Sequence, residues 1–441
     1  MIIEREILKQ LACWKAASNR QPLILRGARQ IGKTWVMKEF GKRHFESVAY
    51  FNFEEVQELK DTFSTTKNVQ RILGQLALYT DTPIRPETTL LLFDEIQECN
   101  DALNSLKYFC ENAPEYAIIA AGSLLGVTLS KGDSFPVGKV DFMQMYPITF
   151  KEFLFMESPD IFDYMERKET LEELPSILFN RLAEAYRKYQ VSGGMPQAVN
   201  ALLENRGMEE TETILQNILQ AYVLDFSKHA ETKNIPRITS IWNSIPSQLS
   251  KENRKFIYQL VKPGARAREY EDALLWLQQA GLVYLIFNNK KPFLPLSAYD
   301  DLTTFKIYLS DIGLLRRLAK LPPDIILHGS AIYAEFKGAM AENFVLQSLI
   351  TQFETSPRYW TSEGKAEVDF IIQSREDIFP IEVKSGQHTG GKSLIVYNNL
   401  YHPQWRIRYS VNNLRLDDNL LNIPIFLVDW TKKLIEILHS S

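Results

Sequence analysis

The sequence predicts an α/β protein: a parallel sheet with helices on both faces, then a helical segment, then two smaller domains. Three observations lead to this prediction. Apolar runs of strand length alternate with helical patterns up to about residue 150, which is typical of a parallel sheet covered on both faces. From there to about residue 235 only helical periodicity remains. The rest combines short helices with strand patterns.

The first part opens with an amphipathic helix over residues 3–17, where apolar side chains recur at helical spacing. Residues 22–26 (PLILR) follow as a short buried strand that leads into a glycine-bounded loop. Further apolar runs predict buried strands at residues 47–53, 89–93 and 116–121. Helical patterns fill the gaps between these strands, so the strands are expected to run parallel.

After residue 150, the spacing of apolar residues separates helical segments from segments that also contain strands. Helices are predicted at residues 150–157, 170–191 and 208–226. Three short helices and a β-like hairpin, the order of a winged helix, occupy residues 237–309. The final part predicts helices at 338–351 and 392–400, with strands at 366–372, 379–384, 405–411 and 424–429. We therefore expect four segments: 1–150, 151–235, 236–330 and 331–441.

The composition is that of a globular protein. Hydrophobic residues make up 45% and charged residues 24% of the 441 residues, and the net charge is −4. This excludes a mainly disordered or collagen-like chain, and it predicts that any nucleic-acid site is a local patch. Three scattered cysteines predict no disulfide framework. The charged N-terminus and the lack of an apolar run of about 18 residues predict a cytoplasmic protein without membrane contact.

Residues 27–34 carry the phosphate-loop pattern GxxxxGK[ST]. The loop follows a predicted strand and precedes a predicted helix, which is the context that phosphate binding needs. Its backbone N–H groups are expected to face phosphate oxygens, Lys33 to reach the β- and γ-phosphates, and Thr34 to ligate Mg²⁺. The predicted nucleotide-binding residues are Gly27, Ala28, Arg29, Gln30, Ile31, Gly32, Lys33 and Thr34.

Two acidic residues follow the predicted strand at residues 89–93. Asp94 and Glu95 follow Leu90–Phe93, at the edge of a parallel sheet where ligands bind. We expect Asp94 to hold Mg²⁺ through water and Glu95 to orient and deprotonate the attacking water. Ser123, which ends the following apolar run, is a candidate for contacting the γ-phosphate or positioning that water; the other interpretation is a turn serine. The loop itself does not distinguish ATP from GTP.

These motifs resemble a group of prokaryotic AAA+ superfamily ATPases with a C-terminal domain of unknown function. The shared segments are RQPLILRGARQIGKTWVMKEF, YFNFE, LLFDEIQ, IIAAGSLLG, YPITFKEFL, VSGGMPQAV, YLSDIGLL and EVDFII…FPIEVKSG. The resemblance implies a P-loop NTPase with ATP as its nucleotide, a helical lid at about 150–235, and a restriction-nuclease-like terminal domain. One departure is Gly138-Lys139, where the family often has Gly-Arg; Lys139 lacks the planar fork of arginine.

A group of charged residues marks the terminal domain. Glu382 and Lys384 point to one face of a predicted strand, and a hairpin brings Asp369 toward Glu382. Glu342 lies on the preceding helix. This arrangement looks like the PD-(D/E)XK nuclease pattern. Asp369 and Glu382 would then ligate a second Mg²⁺ or Mn²⁺ with the Val383 carbonyl, Lys384 would orient water, and Glu342 would be an outer or second-metal ligand.

Two other interpretations of this group stay open. One is an inactive nuclease-like fold in which a buried ion pair joins Lys384 to Glu382 or Asp369 inside an interaction module. The other is unrelated pairing of charges in a core, because charges on a half-buried face are costly unless they are paired.

A basic segment precedes the terminal domain. Nine Lys and Arg against three Glu lie between Lys228 and Glu269. Arg266 and Arg268 fall at the start of the third helix of the predicted winged helix, where a recognition helix meets DNA. The alternative is a solvated basic face or a surface that packs against the ATPase part.

The predicted function is Mg²⁺-dependent ATP hydrolysis coupled to DNA binding or processing by the C-terminal half. The first alternative is an ATP-dependent signalling switch whose nuclease-like domain is an inactive interaction module. A second is an ATPase motor or chaperone without DNA. The AAA+ resemblance is compatible with an oligomer, but the sequence predicts no particular assembly.

Overall fold

The computed structural model describes residues 4–80, 83–122, 135–251, 255–329, 334–362, 364, 366–386 and 391–440. The chain forms two compact units. The N-terminal unit comprises the chain up to residue 146 together with residues 279–282, and the C-terminal unit comprises residues 147–278 and 283 onward.

The N-terminal unit is built on a five-stranded parallel sheet in the order β2-β3-β4-β1-β5. Its helices and strands are α1 (Glu6–Ala16), β1 (Leu23–Arg26), α2 (Lys33–His44), β2 (Ser47–Asn52), α3 (Gln57–Thr65), α4 (Val69–Tyr79), β3 (Thr89–Asp94), α5 (Asn100–Asn112), β4 (Ala117–Ala121) and β5 (Asp141–Gln144). The parallel α/β prediction is confirmed.

Strand β5 is absent from the sequence-based prediction. It is an edge strand of four residues in which partly buried and exposed positions alternate, so it lacks the apolar run that marks the central strands. Strands β3 and β4 are buried along their whole length. The core on one side of the sheet includes edge-to-face contacts among Phe51, Phe53, Phe63 and Phe93.

The sheet topology places the predicted nucleotide-binding residues at one edge. The strands are parallel, so their carboxyl ends share that edge. The phosphate loop follows β1 there, and Asp94 ends β3. Asn52, the last residue of β2, pairs in register with Asp94.

The C-terminal unit begins with helices, as the periodicity predicts for this part of the chain. They are α6 (Phe150–Glu157), α7 (Pro159–Arg167), α8 (Ser176–Ser192), α9 (Pro196–Leu203), α10 (Met208–His229), α11 (Ile235–Leu249), α12 (Tyr258–Val261) and α13 (Ala267–Gln279). The predicted helix 170–191 starts later than expected, at Ser176, because Pro175 precedes its first turn.

The remaining strands form one eight-stranded mixed sheet in the order β12-β13-β11-β10-β9-β8-β6-β7. The strands are β6 (Val283–Asn289), β7 (Asp300–Leu309), β8 (Arg358–Thr361), β9 (Glu367–Ser374), β10 (Asp377–Val383), β11 (Arg406–Ser410), β12 (Arg415–Asp417) and β13 (Leu420–Pro424). The helices that accompany them are α14 (Ile312–Leu318), α15 (Pro323–His328), α16 (Ala334–Leu349), α17 (Lys392–Tyr401) and α18 (Thr431–Ser440).

The C-terminal unit differs from the sequence-based prediction in two places, the boundary at residue 330 and the strand at residues 424–429. The hairpin β6–β7 joins the terminal strands through the pair Asn288–Tyr359, so one sheet spans the predicted boundary at residue 330. The predicted strand 424–429 is wrong, because Ile425–Trp430 form a 3₁₀ helix. All six of its side chains are buried, and an apolar run of that length does not distinguish a strand from a buried helical turn.

Three motifs that carried the family resemblance meet in the C-terminal unit. The Asp311 carboxylate accepts hydrogen bonds from the N–H groups of Gly194 (2.6 Å) and Leu314 (2.9 Å). A Cβ atom on Gly194 would lie 2.1 Å from the Ile148 carbonyl oxygen. Burial raises the pKa of Asp311 to about 6. Ile148 of YPITF, Gly194 of SGGMP and Asp311 of SDIGLL therefore pack closely together, which gives these positions a structural role.

Candidate nucleotide site and C-terminal cluster

The phosphate loop joins β1 to α2 through a backbone that needs unusual dihedral angles. Gly27, Gln30 and Gly32 all have positive φ values, of 150°, 64° and 94°. At Gly27 even a methyl group would be excluded, because its Cβ would lie 2.5 Å from the Met145 carbonyl oxygen. Gly32 immediately precedes α2, so the loop ends at a helix N-terminus, where N–H groups without helical partners favour anions.

Lys33 is folded over this loop. Its Nζ donates hydrogen bonds to the carbonyl oxygens of Gly27 (2.9 Å) and Ala28 (2.7 Å), and the residue is only 7% exposed. Burial lowers the pKa of Lys33 to about 8, although the nearby Glu95 and Asp94 carboxylates oppose the shift. Among the described residues no carboxylate forms an ion pair with this buried ammonium, so an incoming phosphate would give it a direct anionic partner.

The Asp94 carboxylate accepts hydrogen bonds from two hydroxyl groups that lie on other elements. Thr34 Oγ1 on α2 and the Tyr50 hydroxyl on β2 donate to the same carboxylate oxygen, Oδ2, at 2.7 and 2.9 Å. The other oxygen, Oδ1, accepts the N–H of Glu95 at 3.1 Å. Burial and the Asp94 carboxylate raise the pKa of Tyr50, so its hydroxyl stays a donor. The pairing of Thr34 with Asp94 agrees with the predicted roles of both residues.

Glu95 stands in a left-handed backbone conformation, with φ 48° and ψ 44°. Gln97 Nε2 donates to its carboxylate at 2.5 Å. The left-handed conformation is uncommon for glutamate, so the surrounding structure must hold the residue in it. Gln97 was not predicted to take part in the site.

Ser123 and Lys139 are the two remaining residues that the sequence analysis considered for contacts with the γ-phosphate. Ser123 lies outside the described residues. Lys139 precedes β5, whose first residue pairs with Leu23 at the start of β1, so it lies at the sheet edge opposite the phosphate loop. Its ammonium is 3.1 Å from the Glu111 carboxylate. Lys139 therefore does not replace an arginine at the γ-phosphate in this structure.

The donor set at Asp94 fits a magnesium ion. Mg²⁺ prefers oxygen ligands and keeps several of its waters, so one carboxylate and one hydroxyl are a sufficient protein contribution. Thr34 Oγ1 and Asp94 Oδ2 are already adjacent, at 2.7 Å. This arrangement, a glycine-rich loop, its lysine, and a hydroxyl–carboxylate pair at the strand edge, is that of a nucleotide-hydrolysing site.

Residues 19–154 match the family model of an AAA domain. The match covers the phosphate loop, Asp94 and Glu95, so this part of the chain is called the AAA-type domain below. The chain is an ATPase on this match and on the geometry of its site, and ATP is its nucleotide. Family models of two domains of unknown function match later segments, DUF8612 at residues 183–324 and DUF4143 at residues 337–427.

Comparisons with whole proteins give only distant similarity. No curated protein sequence matches the chain significantly. Similar solved structures include a Walker-type ATPase of Pyrococcus abyssi, at 14% identity and a TM-score of 0.46, covering 72% of this chain and 96% of that one. RuvB of Thermotoga maritima has 14% identity, a TM-score of 0.30 and coverages of 66% and 90%. Orc1 of Aeropyrum pernix has 15% identity, a TM-score of 0.28 and coverages of 73% and 94%.

The C-terminal cluster is formed by Asp369 on β9, Glu382 on β10, Lys384 after β10 and Arg408 on β11. Lys384 Nζ lies 2.9 Å from Glu382 Oε1, and Arg408 Nε lies 3.7 Å from Glu382 Oε2. Glu382 is 4% exposed, and burial raises its pKa although Lys384 lowers it. Asp369 accepts the Val383 N–H at 2.8 Å. The predicted proximity of Asp369, Glu382 and Lys384 is present.

Glu342 makes a different contact from the one expected. It is buried on α16 and accepts a hydrogen bond from the Tyr308 hydroxyl at 3.1 Å. Across the part of the chain that the structure describes, no group of three or more His, Cys, Asp or Glu side chains is placed to hold a metal ion. The expected convergence of Glu342 with Asp369 and Glu382 into one three-carboxylate group is therefore wrong for the described residues.

Arg408 is the cluster member that sequence reasoning missed. It pairs in register with Glu382 across the parallel strands β10 and β11, so the two side chains share a face. Gly391 caps the cluster, because a Cβ atom there would lie 2.5 Å from Glu382 Oε2 and 2.8 Å from Arg408 Nη2. Alternation within RIRYS marks a half-buried strand, but only the register identifies the partner of Arg408.

The basic segment exposes its two predicted arginines. Arg266 and Arg268 lie at the start of α13, and both are exposed. The Arg266 N–H donates to Glu269 at the first turn, at 3.3 Å.

In the described parts of the chain, no helix combines the length and the apolar character that crossing a membrane requires.

Proposed function

We propose that this ATPase is Mg²⁺-dependent and that its nucleotide cycle controls DNA binding or processing by its C-terminal half. The observation that carries the proposal is the arrangement of Lys33, Thr34 and Asp94 at the edge of the parallel sheet. The exposed arginines of α13 support DNA as the partner.

In the proposed mechanism, ATP replaces the contacts that Lys33 makes within the loop. Its ammonium would leave the carbonyl oxygens of Gly27 and Ala28 for the β- and γ-phosphates, which gain a charged donor in a site shielded from water. Thr34 and Asp94 would hold Mg²⁺. The ion, when bound, neutralises charge that develops on the transferred phosphoryl group.

Glu95 would orient the attacking water and accept its proton. The hydrogen bond from Gln97 holds the Glu95 carboxylate in one orientation. The N–H of Glu95 in turn donates to Asp94, so the water-activating and metal-binding carboxylates are positioned together. Positioning of this kind is the main contribution that an enzyme makes to phosphoryl transfer.

DNA binding is proposed for α11, α12, α13 and the hairpin β6–β7. A short pairing between Lys255 and Lys306 places the segment before α12 beside β7, and the Phe256 N–H donates to the Phe305 carbonyl at 2.8 Å. Three helices with a hairpin joined to an inter-helical segment support a winged-helix arrangement. Arg266 and Arg268 would then contact DNA phosphates or bases from the start of the third helix.

One observation favours the signalling switch as a second candidate function. Glu382 faces two cations, Lys384 and Arg408, within a buried site. This arrangement weakens Glu382 as a ligand for a divalent ion, because Lys384 occupies Oε1 and Arg408 adds positive charge near Oε2. The C-terminal cluster would then stabilise an interaction module, and the PD-(D/E)XK-like chemistry would be absent.

Hydrolysis of ATP in the presence and absence of duplex DNA tests the proposal. We expect DNA to stimulate the wild type, and the R266E/R268E variant to lose the stimulation while keeping its basal rate. R167E/R415E is the matched control, since it reverses two exposed arginines elsewhere in the C-terminal unit. Stimulation that persists in R266E/R268E, or no stimulation at all, would remove the support for DNA at α13.

Cleavage of plasmid DNA in Mg²⁺ or Mn²⁺ separates the two candidate functions. Metal-dependent cleavage that is lost in K384A would establish a nuclease. An intact plasmid, together with normal ATP hydrolysis, would favour the switch.

A further inference from the structure

Arg5 is a buried arginine at the start of the AAA-type domain that no motif singles out. It precedes α1 and is only 4% exposed. Its guanidinium donates from Nη1 to the Ile31 carbonyl oxygen at 3.2 Å and from Nη2 to the Tyr146 carbonyl oxygen at 2.7 Å. One side chain therefore connects two backbone segments that are more than a hundred positions apart.

The first of these carbonyl groups belongs to the phosphate loop. Ile31 is fully buried and immediately precedes Gly32 and the start of α2. A trans peptide unit carries its C=O and N–H on opposite sides, so holding the Ile31 carbonyl also fixes the direction of the Gly32 N–H. That N–H is one of the loop donors that a bound phosphate would use.

The second carbonyl group lies where the chain leaves the AAA-type sheet. Tyr146 is the last residue of the N-terminal unit before the chain continues at Pro147. Its neighbour Met145 is also attached to the loop region, because the Met145 N–H donates to the Arg26 carbonyl at 2.8 Å. The segment Met145–Tyr146 is thus bonded to the residue before the loop and, through Arg5, to a residue near the loop's end.

We propose that Arg5 is a positioning residue that couples occupancy of the phosphate loop to the segment Met145–Tyr146. A phosphate that draws the Gly32 N–H toward itself rotates the Ile31 peptide, and the guanidinium transmits that movement to Tyr146. The inference rests on nucleotide binding at the loop. It adds a route by which the nucleotide reaches the chain segment that leads into the C-terminal unit.

The chemistry of arginine suits this task. Its planar guanidinium presents donors in fixed directions, so two carbonyl groups can be held at once by one rigid body. A lysine at this position would keep the charge, but its N–H donors share one nitrogen on a flexible stem, so it lacks the two separately directed donors, Nη1 and Nη2, that the guanidinium uses. R5K is therefore the informative variant, since it separates the double contact from the presence of a buried charge.

Affinity for a non-hydrolysable MgATP analogue is the first measurement. We expect R5K to bind it about tenfold more weakly than wild type, which corresponds to the loss of one hydrogen bond to a charged group. R316K is the matched control. Arg316 is fully buried, donates to the carbonyl oxygens of Val191 and Leu321, and also pairs with the Glu212 carboxylate, all within the C-terminal unit. R316K should lower thermal stability and leave analogue affinity unchanged.

Hydrogen exchange at the amides of Met145 and Tyr146 is the second measurement. A saturating concentration of the analogue should slow the exchange of these two amides in wild type and in R316K. In R5K, at the same saturation, their exchange should stay as it is in the free protein. This readout is independent of hydrolysis, and a purely structural role of Arg5 would leave the response to nucleotide intact.

The outcomes separate the inference from the function on which it rests. A wild-type chain that does not bind the analogue would contradict the proposed nucleotide site itself. Wild-type binding with unchanged affinity in R5K would overturn the inference about Arg5 alone. An equal loss of affinity in R5K and R316K would also overturn it, because the effect would then follow from general destabilisation.

Discussion

Binding of MgATP is expected to draw a proton onto Lys33 at alkaline pH. Burial lowers the pKa of Lys33 to about 8 in the free protein. The lysine is therefore about nine-tenths protonated at pH 7, about half at pH 8 and about one-tenth at pH 9. Phosphate charge beside the ammonium returns its pKa toward the ordinary value near 10.5. The expected uptake is about 0.1 proton per site at pH 7, about 0.5 at pH 8 and about 0.9 at pH 9.

The sign of the pH dependence follows from the same shift. The free protein releases the Lys33 proton more readily than the complex does, so binding is favoured at low pH and weakens as the pH rises through 8. Affinity should fall by up to about tenfold for each further pH unit, until the pKa of the complex is reached. The ordinary titration of phosphate lies near pH 6, below this window.

Calorimetry in two buffers of different ionisation enthalpy measures this uptake directly. K42M is the matched control, because Lys42 lies near the far end of the same helix and is exposed, and its loss should leave the uptake unchanged. K33R should bind without proton uptake, since arginine stays charged. Binding enthalpies that are independent of the buffer at pH 8 and 9 in the wild type would refute the reasoning.

Three other perturbations test other parts of the structure. Y50F removes one of two hydroxyl groups that orient Asp94, so the Mg²⁺ concentration for half-maximal hydrolysis should rise about threefold to tenfold; an unchanged Mg²⁺ titration would contradict this role. G194A forces a Cβ against the Ile148 carbonyl and should destabilise the C-terminal unit by about 3 kcal/mol, seen in denaturant unfolding, with no change in analogue affinity. Burial raises the pKa of Asp429 to about 6, so its ionisation costs stability as the pH rises from about 4 to 6. D429N should raise the melting temperature at pH 7 and not at pH 4; equal effects at both pH values would contradict this.

The nucleotide site could be predicted because its parts are local in sequence. Residues 27–34 form a continuous loop, and Asp94 ends a strand whose apolar run is visible in the sequence. The rule that carboxyl ends of parallel strands share one edge then brings the loop and Asp94 together. The structure places Thr34 Oγ1 against Asp94 as that reasoning requires.

Residues that depend on register or on distant contacts could not be predicted. Tyr50 contacts Asp94 because β2 lies beside β3, and Arg5 reaches Ile31 and Tyr146 across the fold. Arg408 faces Glu382 because β10 and β11 are parallel in one particular register. Periodicity gives the face of a strand but not the residue that stands opposite it.

The same limit explains the errors in the C-terminal unit. The turn between β9 and β10 is short, so the proximity of Asp369 and Glu382 could be inferred from sequence. Glu342 lies on a helix whose rotation against the sheet is set by its packing, and it contacts Tyr308 on β7. Residues 425–430 are apolar and buried, and that pattern fits a strand and a 3₁₀ helix equally well.

Phosphate release from ATP by the wild type and K33M tests the central claim most directly. We expect Mg²⁺-dependent hydrolysis in the wild type and its loss in K33M, with K42M retaining the wild-type rate. Hydrolysis that continues unchanged in K33M would contradict the assignment of the phosphate loop as the catalytic site.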